Sequence, residues 1–431
     1  MSTAIVLGGG IAGMLSALAL ARSFDEVTIL ERESERALGE RSGVPQGAHV
    51  HALLNGGLES LNRQLPGFGD RLVQLGAIAS NATLDWISVF PRGPFVRFSS
   101  ELIFACCSRA LIEQVLREYV DAEPHIRWIS GARVISVDLS AQNSPQVHFI
   151  GTGDAQKMRA TLVVDCTGRN SHAAEWLMKA GYVPPPLRQT HPNLGYASRI
   201  YCDVTLDNCN GILIMPSAPR ELASAVLLPL ENKRFLVTLG GLDGRHPPAD
   251  EDGFLRYLDT DRLRLIHDAV RTATPVGPAK AFVKESNSYR AWGHTRSWPN
   301  GFLVNGDALC SFNPLYAQGM TTAALATEYL ALMSSSFQPG CEWSRKVQRG
   351  LSKVYYTPWL TSVIEDMRWN AHSTRVPRFA ARLSHWWTNK VWHAATTNPV
   401  VALEFLWVLH MRKPPQALLS PRVVFEVLRS R

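Results

Sequence analysis

TAIVLGGGIAGMLSALALARSFDEVTILE, residues 3–31, is the stretch whose reading decides the fold. Ser2 to Leu7 is a short apolar run that reads as a strand. Gly8-Gly9-Gly10-Ile11-Ala12-Gly13 follows at once. Met14 to Arg22 reads as a helix rich in Leu and Ala, and Val27 to Leu30 as a second strand that ends in Glu31. Gly8 permits a tight turn, Gly10 lets backbone approach a pyrophosphate, and Gly13 lets the helix pack on the sheet. The helix N-terminus offers unpaired N–H groups and the positive end of its dipole to phosphates. Glu31 lies 18 residues beyond Gly13 (31 − 13), where a carboxylate can accept from an adenosine ribose. It would repel a 2′-phosphate, which points to FAD or NAD over NADP. Glycine-rich turns are common, so the alternative reading is an ordinary βαβ turn.

Outward from this core the chain alternates in texture. Arg32 to Pro66 begins as a loop carrying Arg41-Ser42-Gly43-Val44-Pro45-Gln46-Gly47. His51 to Leu65 has helical spacing and stops at Pro66-Gly67. Leu84 to Phe90 and Phe95 to Phe98 read as two strands joined by the turn Pro91-Arg92-Gly93-Pro94. Ser108 is a candidate N-cap for a helix with Leu111, Ile112, Val115 and Leu116 on one face. Gly151-Thr152-Gly153-Asp154 lacks a third glycine and a following helix, so it reads as a hairpin turn. Val163 to Ser171 is a strand entering a turn, and Ser171 can cap a helix to Lys179 that Gly181 ends. Tyr196–Val204, Gly211–Met215, Ala223–Leu228 and Phe235–Leu239 read as an antiparallel meander. Asp250 to Tyr257 and Asp261 to Val270 read as short helices, before a strand near Ala281.

The 46% hydrophobic and 19% charged residues are ordinary for a globular chain of 431 residues. The net charge of +7 gathers in part at Arg412-Lys413, Arg422, Arg429 and Arg431. No like-charge run is long enough for a nucleic-acid arm. The basic balance fits either a solvated surface or attraction of anionic cofactors or a membrane face. The seven cysteines show no CxxC or Cys/His spacing, so no metal is expected. A reducing, cytoplasmic setting and no signal peptide are expected. No apolar run approaches the roughly 20 residues that span a bilayer. Seven of the twelve tryptophans fall in residues 341–431, which should therefore be folded and mostly helical. There, Pro399 to Met411 reads as a lid or an interfacial anchor, with peripheral membrane contact left open.

Gly301 to Ala308 is a strand ending in Gly306-Asp307, followed by Asn313-Pro314-Leu315-Tyr316-Ala317-Gln318-Gly319-Met320 and an Ala-rich helix to about Met333. A carboxylate at a strand end and a second helix N-terminus suit a long cofactor: Asp307 can accept from polyol hydroxyls, and the helix can stabilise charge on a ring.

On GGGIAG at 8–13, RSGVPQGAHVHALL at 41–54, CCSRALI at 106–112, VVDCTGRNS at 163–171 and GDALCSFNPLYAQGM at 306–320, the chain resembles FAD-dependent monooxygenases of the para-hydroxybenzoate hydroxylase type. Within them it is most similar to bacterial epoxidases of polyene and polyether biosynthesis. The resemblance implies an α/β fold: a Rossmann-like FAD domain of glutathione reductase type, an antiparallel substrate sheet and a helical C-terminal region. The FAD domain would comprise 1–80, 101–185 and 281–340. The substrate sheet would comprise 81–100 and 186–280, with a helical cover over 341–431. Gly8, Gly10, Ile11, Ala12, Gly13, Glu31 and Arg32 would hold the ADP half of FAD. Arg41, Val44, Gln46 and Arg109 would lie along the rest of the cofactor, with Asp165, Gly168 and Asp307. Gly319 and Met320 would present N–H groups to the flavin pyrimidine edge.

Pro314 would lie against the flavin ring, with Tyr316 in the pocket. His49 and His51 either line the substrate side and tune protons or brace their loop. Tyr196 and Arg199 either face substrate or simply alternate on a strand. Where many such hydroxylases carry Asp-Gly, this chain has Asp165-Cys166-Thr167-Gly168, a departure that counts against direct NADPH binding; the electron source would be NAD(P)H or a separate flavin reductase. The halogenase motif Trp-x-Trp-x-Ile-Pro is absent. The implied chemistry is a flavin C4a-hydroperoxide that delivers one oxygen atom from O2 to a hydrophobic substrate, most readily an alkene. Aromatic hydroxylation and flavin-dependent reduction or dehydrogenation of an isoprenoid-type substrate are the alternatives.

Overall fold

The structure is a computed structural model and describes residues 2–34, 49–140, 144–151, 153–284, 286–369 and 376–430. Five parallel strands form the first layer, in the order Phe302–Val304, Leu162–Asp165, Thr3–Leu7, Glu26–Leu30 and Ile126–Ile129. Their side chains are apolar on both faces, as a covered parallel sheet requires. The Ile11–Ala21 helix is buried almost all round, which explains its unbroken Leu/Ala composition. It lies among the sheet and the Arg109–Ala122 and Gly319–Ser334 helices. Gln348 closes the outer edge of this sheet: its Oε1 accepts from Val304 N–H at 2.7 Å and its Nε2 donates to Val304 O at 3.1 Å.

Arg133–Asp138, Gln146–Ile150 and Ala155–Arg159 form a separate antiparallel sheet. The Gly151–Asp154 region is thus a hairpin, as its missing third glycine implied.

The second large layer has seven strands. Thr274–Lys284, Leu194–Cys202, Arg234–Gly241, Ala223–Leu230 and Gly211–Ile214 pair antiparallel in that order. Trp86–Phe90 then joins Gly211–Ile214 in parallel, so this sheet is not purely antiparallel. One face buries Ala197, Leu227, Val237 and Leu239 against the Glu251–Leu258 and Arg264–Val270 helices. The other presents Ile200, Leu213, Val226 and Leu236 to the C-terminal helices. The strand period of two sorts these positions.

Some expected bounds shift. The second helix begins at Asn55, not His51, because Leu53 forms a bridge with Ala105 and Leu54 is extended. Phe95 to Phe98 does not continue as a strand: Phe95 N–H still pairs with Ser88 O at 3.0 Å, but Val96 N–H then turns to Ala395 O at 3.1 Å and Phe98 N–H to Thr83 O at 3.3 Å. Ser108 does cap its helix, accepting from Leu111 N–H at 3.1 Å.

Residues beyond 340 form the helices Cys341–Asp366, Arg378–Ala395, Pro399–Leu409 and Pro421–Arg429. Asn398 caps the third, and its lone acid, Glu404, is ion-paired to Lys413 at 2.9 Å. Val401, Ala402, Phe405 and Leu406 are buried, so one side of this helix packs as a wall of the fold. No helix among the described residues is long and apolar enough to cross a membrane. All seven cysteines are free.

Candidate active site

At the carboxyl ends of the parallel strands lies a cleft with a cavity volume of about 520 Å³. Gly8, Gly10, Ile11 and Ala12 form its floor, and Glu31, Arg32, Arg109, Gly168, Asp307, Gly319 and Met320 line it. The glycine turn is tight because a Cβ on Gly8 would sit 2.7 Å from Cys166 O. A Cβ on Gly13 would sit 1.9 Å from Gly8 O, so Gly13 serves helix–strand packing and does not reach the cleft. Gly10 has no atom within 4 Å of where its Cβ would be, and its helix has no side-chain cap. The amides of that N-terminus therefore face the cleft, which suits a phosphate.

Glu31 lines the cleft and also braces the turn. Its Oε2 accepts from Gly9 N–H at 2.6 Å and its Oε1 from Glu33 N–H at 3.0 Å. Asp165 is not in the cleft. It is fully buried behind the wall, accepting from Thr167 N–H at 2.9 Å, from Thr167 Oγ1 and from the Ser171 hydroxyl. Its work is to shape the turn whose residues 166–170 do line the cleft. Arg41, Val44 and Gln46 lie outside the described residues.

Asp307 sits at the cleft in the short turn Gly306–Ala308. Tyr355, from the long C-terminal helix, holds that turn: its hydroxyl accepts from Gly306 N–H at 3.0 Å and donates to Asn305 Oδ1 at 3.0 Å. The 16-residue Gly319–Ser334 helix likewise starts without a side-chain cap, and a Cβ on Gly319 would meet nothing within 4 Å. Two uncapped helix N-termini and the carboxylates of Glu31 and Asp307 thus line one cleft, a set of donors and acceptors that fits the pyrophosphate, hydroxyls and ring of a flavin dinucleotide.

A second cavity, of about 140 Å³, is mostly apolar. Trp86, Phe104, Leu213, Met215, Phe282 and Leu406 contribute to its wall. The two cavities share Val50, His51, Ala52, Pro314 and Ala317. Pro314 therefore stands at their junction, with Tyr316 on the apolar side.

The polar groups of the second cavity are few. Tyr316 donates to Asp366 Oδ1 at 3.1 Å. Asp366 also accepts from Asn313 Nδ2 at 2.9 Å, Thr190 Oγ1 at 3.3 Å and Asn287 Nδ2 at 3.4 Å. Burial pushes its carboxyl up to about 6, against the pull of these donors. Tyr196 faces the cavity, whereas Arg199 on the same strand turns to Gly277 O at 3.0 Å and Glu251 at 3.3 Å.

The two histidines separate in role. His51 Nδ1 donates to His49 O at 2.8 Å, and its Nε2 accepts from Arg109 at 3.3 Å. Burial and the Arg109 cation push it down to about 3, so it is a neutral brace. His49 Nδ1 bonds Ser198 Oγ at 2.7 Å, which bonds Thr238 Oγ1 at 2.7 Å. Burial pushes His49 down to about 4, and its Nε2 has no partner among the described residues. His49 thus stands in the wall of the apolar cavity as a neutral ring with one unpaired nitrogen.

Sequence reasoning missed Asp366, Tyr355 and the Ser198–Thr238 pair. Each is an isolated polar residue in an otherwise ordinary helix or strand, and no local motif marks it.

The comparisons agree with this layout. Residues 4–175 match the FAD dependent oxidoreductase family, which covers the glycine turn, Glu31 and the 166–170 turn and supports FAD as the cofactor of the cleft. "Protein Rv3254" of Mycobacterium tuberculosis (strain ATCC 25618 / H37Rv) is 24% identical over 94% of this chain and 88% of its own length. Among solved structures, the flavin-dependent halogenase CmlS superposes with a TM-score of 0.68 at 15% identity, over 92% of this chain and 73% of that one. PqsL, a probable FAD-dependent monooxygenase from Pseudomonas aeruginosa, superposes with a TM-score of 0.62 at 15% identity, over 85% and 96%. These likenesses establish the fold: a mixed α/β, Rossmann-type flavoenzyme architecture with a helical C-terminal region.

Proposed function

We propose that the protein is an FAD-dependent monooxygenase that inserts one oxygen atom from O2 into a hydrophobic, electron-rich small molecule, with epoxidation of an alkene as the reaction. The observation that carries this reading is the junction of the two cavities at Val50–Ala52 and Pro314–Ala317. It sets an apolar chamber against the far end of a cleft suited to a flavin.

Reduced FAD, once bound, supplies the activation of O2. The chain does the rest. Gly8, Gly10 and the first helix N-terminus would hold the pyrophosphate, Asp307 would accept from polyol hydroxyls, and the Gly319 and Met320 amides would stabilise negative charge on the ring. The C-terminal helices and the second sheet exclude water, which protects a reactive oxygen species from loss as H2O2. His49 Nε2 and the Tyr316 hydroxyl, the latter oriented by Asp366, are the chamber's polar contacts to substrate. Electrons come from NAD(P)H or a separate flavin reductase. The resemblance of the sequence motifs at 41–54 and 306–320 to polyene epoxidases is what favours alkene over arene.

The experiment is turnover of a candidate polyene under isotopically labelled O2, with a reducing system and product connectivity determined. One labelled oxygen in an oxirane is expected. A phenol would discard epoxidation and keep the monooxygenase. A product that gains two hydrogens, or turnover without O2, would discard both.

A further inference from the structure

The Arg378–Ala395 and Pro421–Arg429 helices, which pack against each other, leave large apolar side chains in water. Along Arg378–Ala395 the exposed side chains recur with helical spacing and include Phe379, Leu383 and Trp386. They are 75%, 64% and 54% exposed. Next to this helix, Leu419, Phe425 and Leu428 are 60%, 61% and 73% exposed. Phe379, Trp386 and Phe425 are the exposed Phe and Trp side chains among the described residues. An apolar cluster of this size left in water marks a docking surface.

Its charges are of one sign. Arg378, Arg382 and Lys390 share the exposed face of the first helix, and Arg422 and Arg429 that of the second. None of the five makes an ion pair among the described residues. Residues 376–430 hold seven Lys/Arg and two carboxylates, Glu404 and Glu426. Neither acid is on this face: Glu404 pairs with Lys413, and Glu426 accepts from Asn398 Nδ2 at 2.8 Å.

We propose that this face docks on an anionic lipid bilayer. Phe, Leu and Trp enter the headgroup boundary, and the flanking cations meet lipid phosphates, the pattern of an interfacial helix. A second copy of the chain fits poorly, because a symmetric contact would press five cations against five. The occupied layer behind the face has a matching character: the neighbouring Pro399–Leu409 helix lends Leu406 and Leu409 to the apolar cavity. The docked enzyme would thus hold its chamber close to where hydrophobic molecules dissolve. The docking itself rests on the surface alone and is independent of the oxygenation chemistry.

The test is co-sedimentation of the full chain with vesicles of phosphatidylcholine, alone or with about one-third phosphatidylglycerol. Binding is expected to the anionic vesicles and to weaken as salt shortens the screening length. Arg378→Ser with Arg382→Ser should weaken it roughly fivefold per cation, about 25-fold for the pair. Phe425→Ser with Leu428→Ser, and separately Phe379→Ser, should weaken it at least about tenfold with unchanged thermal unfolding, since these side chains are exposed. Absence of binding to anionic vesicles at low salt would overturn the proposal, as would equal binding by wild type and every variant. A dimer in sedimentation equilibrium that the same serine substitutions abolish would assign the face to a second copy instead.

Discussion

Replacing Gly10 with alanine separates the folding role of the glycine turn from its binding role. Gly10 has φ −74° and ψ −178°, a conformation open to alanine, and the new methyl meets no protein atom within 4 Å. The fold should lose only the difference between Gly and Ala at an N-cap, on the order of 1 kcal/mol. Gly13→Ala is the opposite case. Its Cβ would lie 1.9 Å from Gly8 O, where contact needs roughly 3.5 Å, so the helix and strand must part by more than an ångström. Overpacking against backbone should cost about 3 kcal/mol or more.

If a pyrophosphate rests on the turn, the Gly10→Ala methyl occupies its place. FAD affinity should then fall about 10- to 100-fold, the equivalent of roughly 1.4–3 kcal/mol. The assay is fluorescence titration of apoprotein with FAD, alongside thermal unfolding of the same samples. The expected pattern is near-native unfolding with weak FAD for Gly10→Ala, and impaired unfolding for Gly13→Ala. Gly10→Ala protein that binds FAD within about twofold of wild type would refute a pyrophosphate at this turn.

Asp307→Ala should weaken FAD retention by on the order of 1–3 kcal/mol, and His49→Ala by less, because Asp307 lines the cleft proposed for the cofactor and His49 lines the other cavity; equal retention in the two variants would count against that proposal. Acid should destabilise the fold. His49, His51 and His410 are pushed down to about 4, 3 and 4 by burial, so the unfolded chain takes up protons below about 6.5 while the folded one does not. Stability is then full above that pH and falls toward pH 4 by on the order of 3 kcal/mol per histidine. Asp366, raised to about 6, has the opposite sign, its contribution being lost as pH rises through that value, and it offsets roughly one of the three. Denaturant unfolding at neutral and mildly acidic pH checks this, and a flat or rising stability on acidification would exclude it. Asp366→Leu should lower the melting temperature more than Asp366→Asn, because leucine leaves the Asn313, Asn287 and Tyr316 donors unpaired at roughly 1–3 kcal/mol each; equal melting of the two would remove the carboxylate from its bracing role.

Local chemistry made part of this site legible from residues alone. The spacing of Gly8, Gly10, Gly13 and Glu31, the Ser108 cap and the Asp307 turn each depend on neighbours within a few residues or on one βαβ unit. The positions that escaped depend on distant partners. Asp165 reads as a cofactor acid because it ends a strand, but Thr167 and Ser171 take both its oxygens. Asp366 lies at the end of the long Cys341–Asp366 helix with no local motif around it, and only folding brings Asn313, Asn287 and Thr190 to it. Phe95 to Phe98 has the composition of a strand, yet beyond Phe95, which pairs with Ser88, its backbone partners come from Ala395 and Thr83. Strand composition reports burial, and pairing is decided elsewhere.

The order of the parallel sheet has a consequence for synthesis. Thr3–Leu7 emerges first but waits for Leu162–Asp165, which waits in turn for Phe302–Val304 and for the Gln348 amide on its outer side. At about 5–20 residues per second, the interval between the first strand and the last is on the order of 15–60 s. Throughout it the nascent chain carries apolar strand surface whose permanent neighbours are still being translated. A ribosome stalled before Gln348 would present an unclosed sheet edge, the kind of surface that holdase chaperones bind and that neighbouring nascent chains can invade.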